Sequence, residues 1–415
     1  MTAPLTQTTL PAPTPARVLA CGAFLKNTAC LIEPDGNGGT RVWWSPLHDD
    51  LGTPAACAAL QASVAALVAA AGGPIAAVAH DLHPDFHSTQ VAAAWAQRLG
   101  VPALAVQHHH AHIAVVQAEL GLGDHTPLIG LALDGVGHGS DGTAWGGELL
   151  RVQHGRMWRL AHLPLLPLPG GDAAAREPWR LAAAVWHRAG RAAEIVPRLG
   201  AAVGEAAARG VAQLLARDLR CPRSSGAGRW FDAAAGVLGL SLHQAHEAEA
   251  AIALEQAATA WLQGHADPVL PAPSLDLWPL LIALLDEADA GRGAARFHLA
   301  LAEGLVQAAA QAAAQASLPG QPARVVLGGG CFFNRLLSQR VSAGLQAHGL
   351  SVHRPVHVGC GDAGLALGQA WAAALQCAAT ATFEGGGPGA GPLPSRPAHP
   401  PGGWRRVPAT PGPPI

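Results

Sequence analysis

The 415-residue chain holds a single lysine, Lys26, against 25 arginines. Its aromatic share is only 5% and its charged share 13%. With 50 glycines and 34 prolines beside abundant alanine, the missing lysines mark a bias of composition. The net charge is −2, and the arginines are scattered, with one adjacent pair at Arg405–Arg406. No clustered basic footprint is present, which argues against a nucleic-acid partner. There is no C-x-x-C motif, and the cysteine count is seven, an odd number: Cys21, Cys30, Cys57, Cys221, Cys331, Cys360 and Cys377. A disulfide framework and a zinc ribbon are both excluded, and a reducing, cytoplasmic compartment fits. The opening "MTAPLTQTTLPAPTPA" lacks the basic and apolar regions of a signal peptide. The longest uncharged stretch, Thr53–Ala79, contains Gln61 and Ser63 and is broken by "GGP" at Gly72–Pro74. It reads as a buried helix followed by a strand, not a membrane span.

Half of the residues are hydrophobic, ample for one large or two to three modest domains. Residues 1–16 are rich in Pro and Thr, and the tail from about 384 is rich in Pro and Gly. Both are expected to be disordered, because such composition builds no core. Between them, "RVLACGAF", "TACLIEP" and "TRVWWSP" read as a three-strand meander. A helix follows, opened by Thr53-Pro54 and closed near Gly72. Then come a strand ("IAAVAHDL"), a helix (His87–Leu99), a strand ("ALAVQ") and a helix opened by four histidines. A second three-strand start, "PLIGLALDG", "TAWGGELLRV" and "MWRLAHLPLLP", leads into a helical stretch over about 172–319. "ARVVLGGG" returns to a strand. A helix (Phe332–Leu350), the strand "SVHRP" and a closing helix (Asp362–Ala378) complete the pattern. The expected architecture is a duplicated α/β fold: a first lobe over 17–125, and a second over 126–383 carrying the helical insertion. Ligands of such sheets bind at the carboxyl ends of strands.

The residues that carry chemistry fall at those ends. In "VQHHHAHIAVV", His108 and His112 are spaced i, i+4, which puts both imidazoles on one helix face. They could share a metal, form a proton relay or sit on a solvated turn; His109 and His110 point elsewhere. Asp134 ends an apolar strand in "LALDGVGHGSDGT", where a carboxylate can reach a metal or phosphate; the same run also reads as a glycine-rich hairpin. Gly328–Gly330 lie between a strand and a helix, suited to phosphate, although no Walker lysine follows. Asn334, one turn on, could bond a nucleotide or be a solvated helix residue. Asp362 reads most simply as a helix cap, or as a fourth ligand. Two His and two Asp would suit iron, zinc or manganese. Asp232 in "GRWFD" could contact a ribose.

Taken in order, "FLKNTACL", "HDLHPDFHST", "VQHHHAHIA", "LALDGVGHGSDGTAWGGELL", "LPLPGGDAAAREPWR", "GRWFDAAAGVLGL", "HEAEAAIALE", "GGGCFFNR" and "GDAGLALGQA" resemble the C-terminal, TsaD-like part of the HypF family. That family comprises the carbamoyltransferases of hydrogenase maturation. The resemblance spans about Cys21 to Ala374. It implies an actin-like, Hsp70-like ATPase fold. It also implies a reaction in which carbamoyl phosphate and ATP give carbamoyl adenylate. The carbamoyl group then passes to the C-terminal cysteine of HypE, where its dehydration yields the cyanide ligands of the hydrogenase. It further implies a divalent metal, iron or zinc, held by His108, His112, Asp134 and Asp362, with the first three catalytic. Gly329, Gly330 and Asn334 would line the nucleotide site, with Asp232 and Glu247 near the ribose.

The chain departs from the family pattern in places. Where the family has Y-E-G-Q, it reads His246-Glu247-Ala248-Glu249, and the final N-D-G-G reads Gly361-Asp362-Ala363-Gly364. No counterpart of the acylphosphatase, zinc-binding or YrdC-like regions is seen. The adenylate is therefore expected from a separate YrdC-type protein or a full-length HypF. Other acceptors, or a non-catalytic HypE-binding scaffold, are the competing readings.

Overall fold

A computed structural model describes residues 4–122, 125, 127–317 and 323–384. The chain opens with β1 (Thr6–Leu10), β2 (Val18–Ala20), β3 (Cys30–Pro34) and β4 (Thr40–Trp44). There follow α1 (Pro54–Ala70), β5 (Ala77–Asp81), α2 (His87–Leu99), β6 (Ala103–Val106) and α3 (His108–Glu119). The first sheet runs β1-β4-β3-β2-β5-β6, antiparallel through the meander and parallel from β2 to β6. Thr53 caps α1 by accepting a bond from the Ala56 amide at 3.2 Å, with Pro54 as its first residue.

The segment before β2 differs from expectation. Residues 6–10 form a full antiparallel register with β4, Thr6 opposite Trp44 through Leu10 opposite Thr40. The threonines of "TQTTL" are β-branched and suit an edge strand. Leu10 is buried and Thr14 is tied to the Ala16 carbonyl, so the described part of 1–16 is ordered.

The second sheet repeats the plan. It contains β7 (Leu128–His138), β8 (Ala144–Gln153), β9 (Arg156–His162) and the two-residue β10 (Leu166–Pro167). The insertion follows with α4 (Ala173–Arg176), α5 (Pro178–Arg188), α6 (Ile195–Val203) and α7 (Glu205–Ala216). It continues through β11 (Arg223–Ser224), α8 (Ala227–Val237), α9 (Glu249–Leu262), α10 (Trp278–Leu284) and α11 (Ala290–Ala316). The stretch expected to be mainly helical thus contains a short strand, β11, parallel to β8. β12 (Arg324–Gly328), α12 (Arg335–Ala347), β13 (Val352–His353) and α13 (Leu365–Glu384) complete the chain. The two helices expected from Phe332 and Asp362 begin later, each after a 3-10 turn, at Gly330–Phe333 and Asp362–Gly364. The tail expected to be disordered lies, beyond residue 384, outside the described residues.

The helix α13 does not stay with the second sheet. Its Leu365, Ala366, Ala370 and Trp371 share a buried core with Val18 and Ala20 of β2, Ile32 of β3 and Ala79 of β5. The Gln369 side chain bonds both backbone groups of Gly22 in the first lobe. The second lobe expected over 126–383 therefore hands its last helix to the first. Between the lobes lies α3, every residue of which is buried. Its Ala111, Ala114 and Val115 join the first lobe's core, while Ile113 and Val116 meet Leu128, Ala132 and Val326 of the second. A Cβ on Gly368 of α13 would stand 1.9 Å from the Ala111 carbonyl oxygen, so the two helices cross in near-backbone contact. Among the described residues no helix is long and apolar enough to cross a membrane.

Candidate functional site

β5 and β6 run parallel and end side by side, with Asp81 opposite Val106. Two residues beyond Val106 the chain turns into α3. Gln107 caps it: its side-chain oxygen accepts from the His110 amide at 3.0 Å. All four histidines of the cluster are buried, which rules out the solvated-turn reading. His109 is held inside by the Gln107 amide, which donates to its Nδ1 at 2.9 Å. Burial pushes His110 down to about 4 and His109 well below the usual histidine range. Both are neutral interior groups.

His108 and His112 turn to the cleft, as their spacing predicts. Asp134 meets them from β7, where a register irregularity between Leu133 and Gly137 breaks the pairing with β8. Such bulges re-aim side chains. Asp134 Oδ2 lies 3.0 Å from His112 Nε2 and 3.5 Å from His108 Nε2. Asp362 Oδ1 lies 3.5 Å from each Nε2. These four donor atoms fall within 4.8 Å of one another. Asp362, in its 3-10 turn, thus directs its carboxylate to the histidines.

The donor set fits a divalent metal on two grounds. Two imidazole nitrogens and two carboxylate oxygens are the ligand chemistry of zinc, iron or manganese. In addition, the buried Nε2 of His108 has no hydrogen-bond partner although it points at the cluster. The other nitrogen, Nδ1, lies 2.9 Å from Asp81 Oδ2. An Nδ1–H donated to Asp81 fixes the tautomer that leaves Nε2 free to ligate. Asp81, itself fully buried, was missed by sequence reasoning. It lies in the block "HDLHPDFHST", and the parallel pairing of β5 and β6 is the signal that joins it to His108.

The electrostatics agree. Burial opposes charge on His108, yet the Asp362 and Asp134 carboxylates hold it well above the usual histidine range. His112 is raised against burial by its bonds to Asp134 and Asp362. Burial would raise the two carboxyls, but the imidazoles hold both low. The carboxylate charge that raises both imidazoles is the charge a bound dication would balance.

The residues expected around a nucleotide are placed unevenly. Gly330 borders the cluster: a Cβ there would stand 3.3 Å from Asp134 Oδ1. Gly329 has φ +95°, and a Cβ would strike the Leu133 carbonyl oxygen at 2.3 Å, so only glycine allows this approach of β12 to β7. Asn334 is buried and spends its side chain inside the protein. Its oxygen caps α12 through the Leu337 amide at 2.8 Å, and its amide nitrogen donates to His298 Nε2 at 2.9 Å. Asp232 is buried against Arg229 at 2.8 Å and accepts from Gln244 at 3.0 Å. Burial pushes its carboxyl up to about 6. Glu247 is exposed and pairs at 2.7 Å with Lys26, the lone lysine, across the two lobes. Ala248 beside it has a positive φ of 62°.

Comparison with known proteins gives the same picture from outside. Residues 13–119 match the "HypF Kae1-like domain" and 130–369 the "Carbamoyltransferase, Kae1-like Domain, second subdomain". This chain belongs to the HypF family. It is 59% identical to a "Carbamoyltransferase HypF homolog" of Cupriavidus necator, over 87% of this chain and 92% of that one. It is 46% identical to "Carbamoyltransferase HypF2" of the same organism, over 86% of this chain but 46% of that one. The chain thus spans nearly all of one relative and about half of the other. A crystal structure of full-length HypF in a phosphate- and nucleotide-bound form is similar at a TM-score of 0.74 and 28% identity, covering 89% of this chain and 47% of that one. For T. kodakarensis HypF the TM-score is 0.79 at 28% identity, covering 90% of this chain and 49% of that one. The two α/β lobes are the duplicated halves of the actin-like ATPase fold.

Proposed function

We propose that this chain is a metal-dependent carbamoyltransferase that moves a carbamoyl group from carbamoyl adenylate to the C-terminal cysteine of HypE. The observation that carries this reading is the convergence of His108, His112, Asp134 and Asp362 on one point in a HypF-family cleft. The thiolate sulfur attacks the carbamoyl carbon. The bond from that carbon to the AMP phosphate oxygen breaks, AMP leaves, and an S-carbamoyl cysteine remains. The thiol proton passes to solvent. A divalent metal, iron or zinc, supplies Lewis acidity toward the carbamoyl oxygen when bound. His108 and His112 would hold it with Asp134 and Asp362, and Asp81 orients His108. Gly329 and Gly330 would line the nucleotide's approach, with Glu247, paired to Lys26, near the ribose. The adenylate, made from carbamoyl phosphate and ATP, comes from a YrdC-type protein or a full-length HypF. The reaction fits the cytoplasm.

The test is intact-protein mass spectrometry of HypE. One tube holds the chain, HypE, ATP and carbamoyl phosphate; another holds synthetic carbamoyl adenylate in place of the last two. A carbamoyl mass shift with the adenylate alone is the expected result. A shift in both tubes would mean that the chain also makes its own adenylate. No shift in either, with metal bound, would end the HypE reading in favour of another acceptor or a scaffold.

A further inference from the structure

Of the four ligands, Asp362 has the least regular support. His108 and His112 ride on α3 and Asp134 on β7, but Asp362 follows an irregular run from Arg354 to Gly361. Little packing holds the outer side of that run, since Val356 and His357 are exposed. Its inner side is held at the Asp362 end by the Gly329 amide, which donates to the Cys360 carbonyl at 2.9 Å, and by buried Cys360; toward α3 it is held by a carboxylate. Glu119, the last residue of α3, accepts from the amides of Val356 at 2.5 Å, His357 at 3.1 Å and Val358 at 2.9 Å. Glu119 is buried. A carboxylate in the last turn of a helix is disfavoured by the helix dipole. Three converging amides make a concave anion seat that offsets this. Glu119 lies eleven positions after His108 and seven after His112 on α3, about 16 and 10 Å along the helix axis. Glu119 therefore touches no ligand.

We propose that Glu119 is a positioning residue for the metal site: it ties the loop that carries Asp362 to the helix that carries His108 and His112. The inference rests on the metal-binding reading above. One rigid helix then sets the distance between the histidine pair and the fourth ligand, because both ends of α3 are fixed to the site. Glutamine in place of Glu119 offers one oxygen for three amides and turns an NH2 group toward the rest. The loop would lose register, and Asp362 with it.

Cobalt(II) is the probe, read by its visible ligand-field bands in the full-length chain, with thermal melts of the metal-free protein alongside. Glu119→Gln is compared with Glu33→Gln, a remote buried carboxylate that also accepts a backbone amide, from Gly72 at 2.9 Å. Both variants should melt lower. Only Glu119→Gln should bind cobalt about 10–100-fold more weakly, with altered band intensity. Glu119→Asp, which keeps the charge one methylene short, should fall between; it decides the matter if the glutamine variant does not fold. Unchanged cobalt affinity and spectrum in the folded Glu119 variants would overturn the proposal and leave the metal site standing. Failure of the unaltered protein to bind cobalt would remove the metal reading and this inference together.

Discussion

His108 is held between two kinds of carboxylate: Asp81 lies 2.9 Å from its Nδ1, while its Nε2 faces Asp134 and Asp362 at 3.5 Å. Asp81→Asn should keep the fold and weaken metal binding by about 10–100-fold, because an amide can present either an oxygen or an NH2 group to Nδ1. Competition with a chromophoric chelator measures this directly. Equal affinity in the variant would mean that the tautomer of His108 is set by something else.

Loss of a ligand should be more severe. His108→Ala and His112→Ala are each expected to lower carbamoyl transfer to HypE by at least about a hundredfold, and the double variant should do no worse by much, because the ligands act as a unit. A double variant that still transfers the group would sink the metal-assisted mechanism.

Gly368→Ala places a methyl group where the Ala111 carbonyl oxygen already lies. Such overpacking against backbone should cost about 3 kcal/mol, read as a lower urea midpoint. Because α3 bears the histidines, metal affinity should fall in the same variant.

His298 gives a pH signature. Its Nδ1 donates to the Ala294 carbonyl and its Nε2 accepts from Asn334, so it is neutral in the fold. Burial holds it down to about 4. The unfolded chain takes up this proton near pH 6.5, the folded one near 4, so stability is full above 6.5 and falls below it. Between pH 7 and 5 the loss from this residue should be about 2 kcal/mol. His298→Gln, which retains an acceptor for Asn334, should lessen the decline in urea-unfolding free energy by that amount.

Much of this was legible in the sequence. The meander, α1 with its Thr53 cap, and α2 from His87 to Leu99 followed from alternation, capping and helical spacing. The four-donor cluster followed from the i, i+4 histidines and from family motifs. Contacts between distant segments were not legible. Threonine-rich residues 6–10 looked coreless because their partner, β4, lies some thirty residues on. Asp81 and Glu119 matter through strand register and through a bond spanning more than 230 residues. Asn334 reads as an open polar group because nothing local marks His298 as its partner, and the same holds for Gln244 at Asp232; Arg229, three residues before Asp232 on α8, was the one partner within local reach.

The placement of α13 bears on how the protein is made. The ribosome releases the first sheet early, but the helix that covers its β2–β3–β5 face is encoded from Leu365 onward. Until that helix emerges, Val18, Ala20, Ile32 and Ala79 have no complete cover, and neither does the α13-facing side of α3. The half synthesised first is the half finished last. Contacts so far apart in sequence form slowly, and an apolar face exposed throughout translation is what chaperones bind.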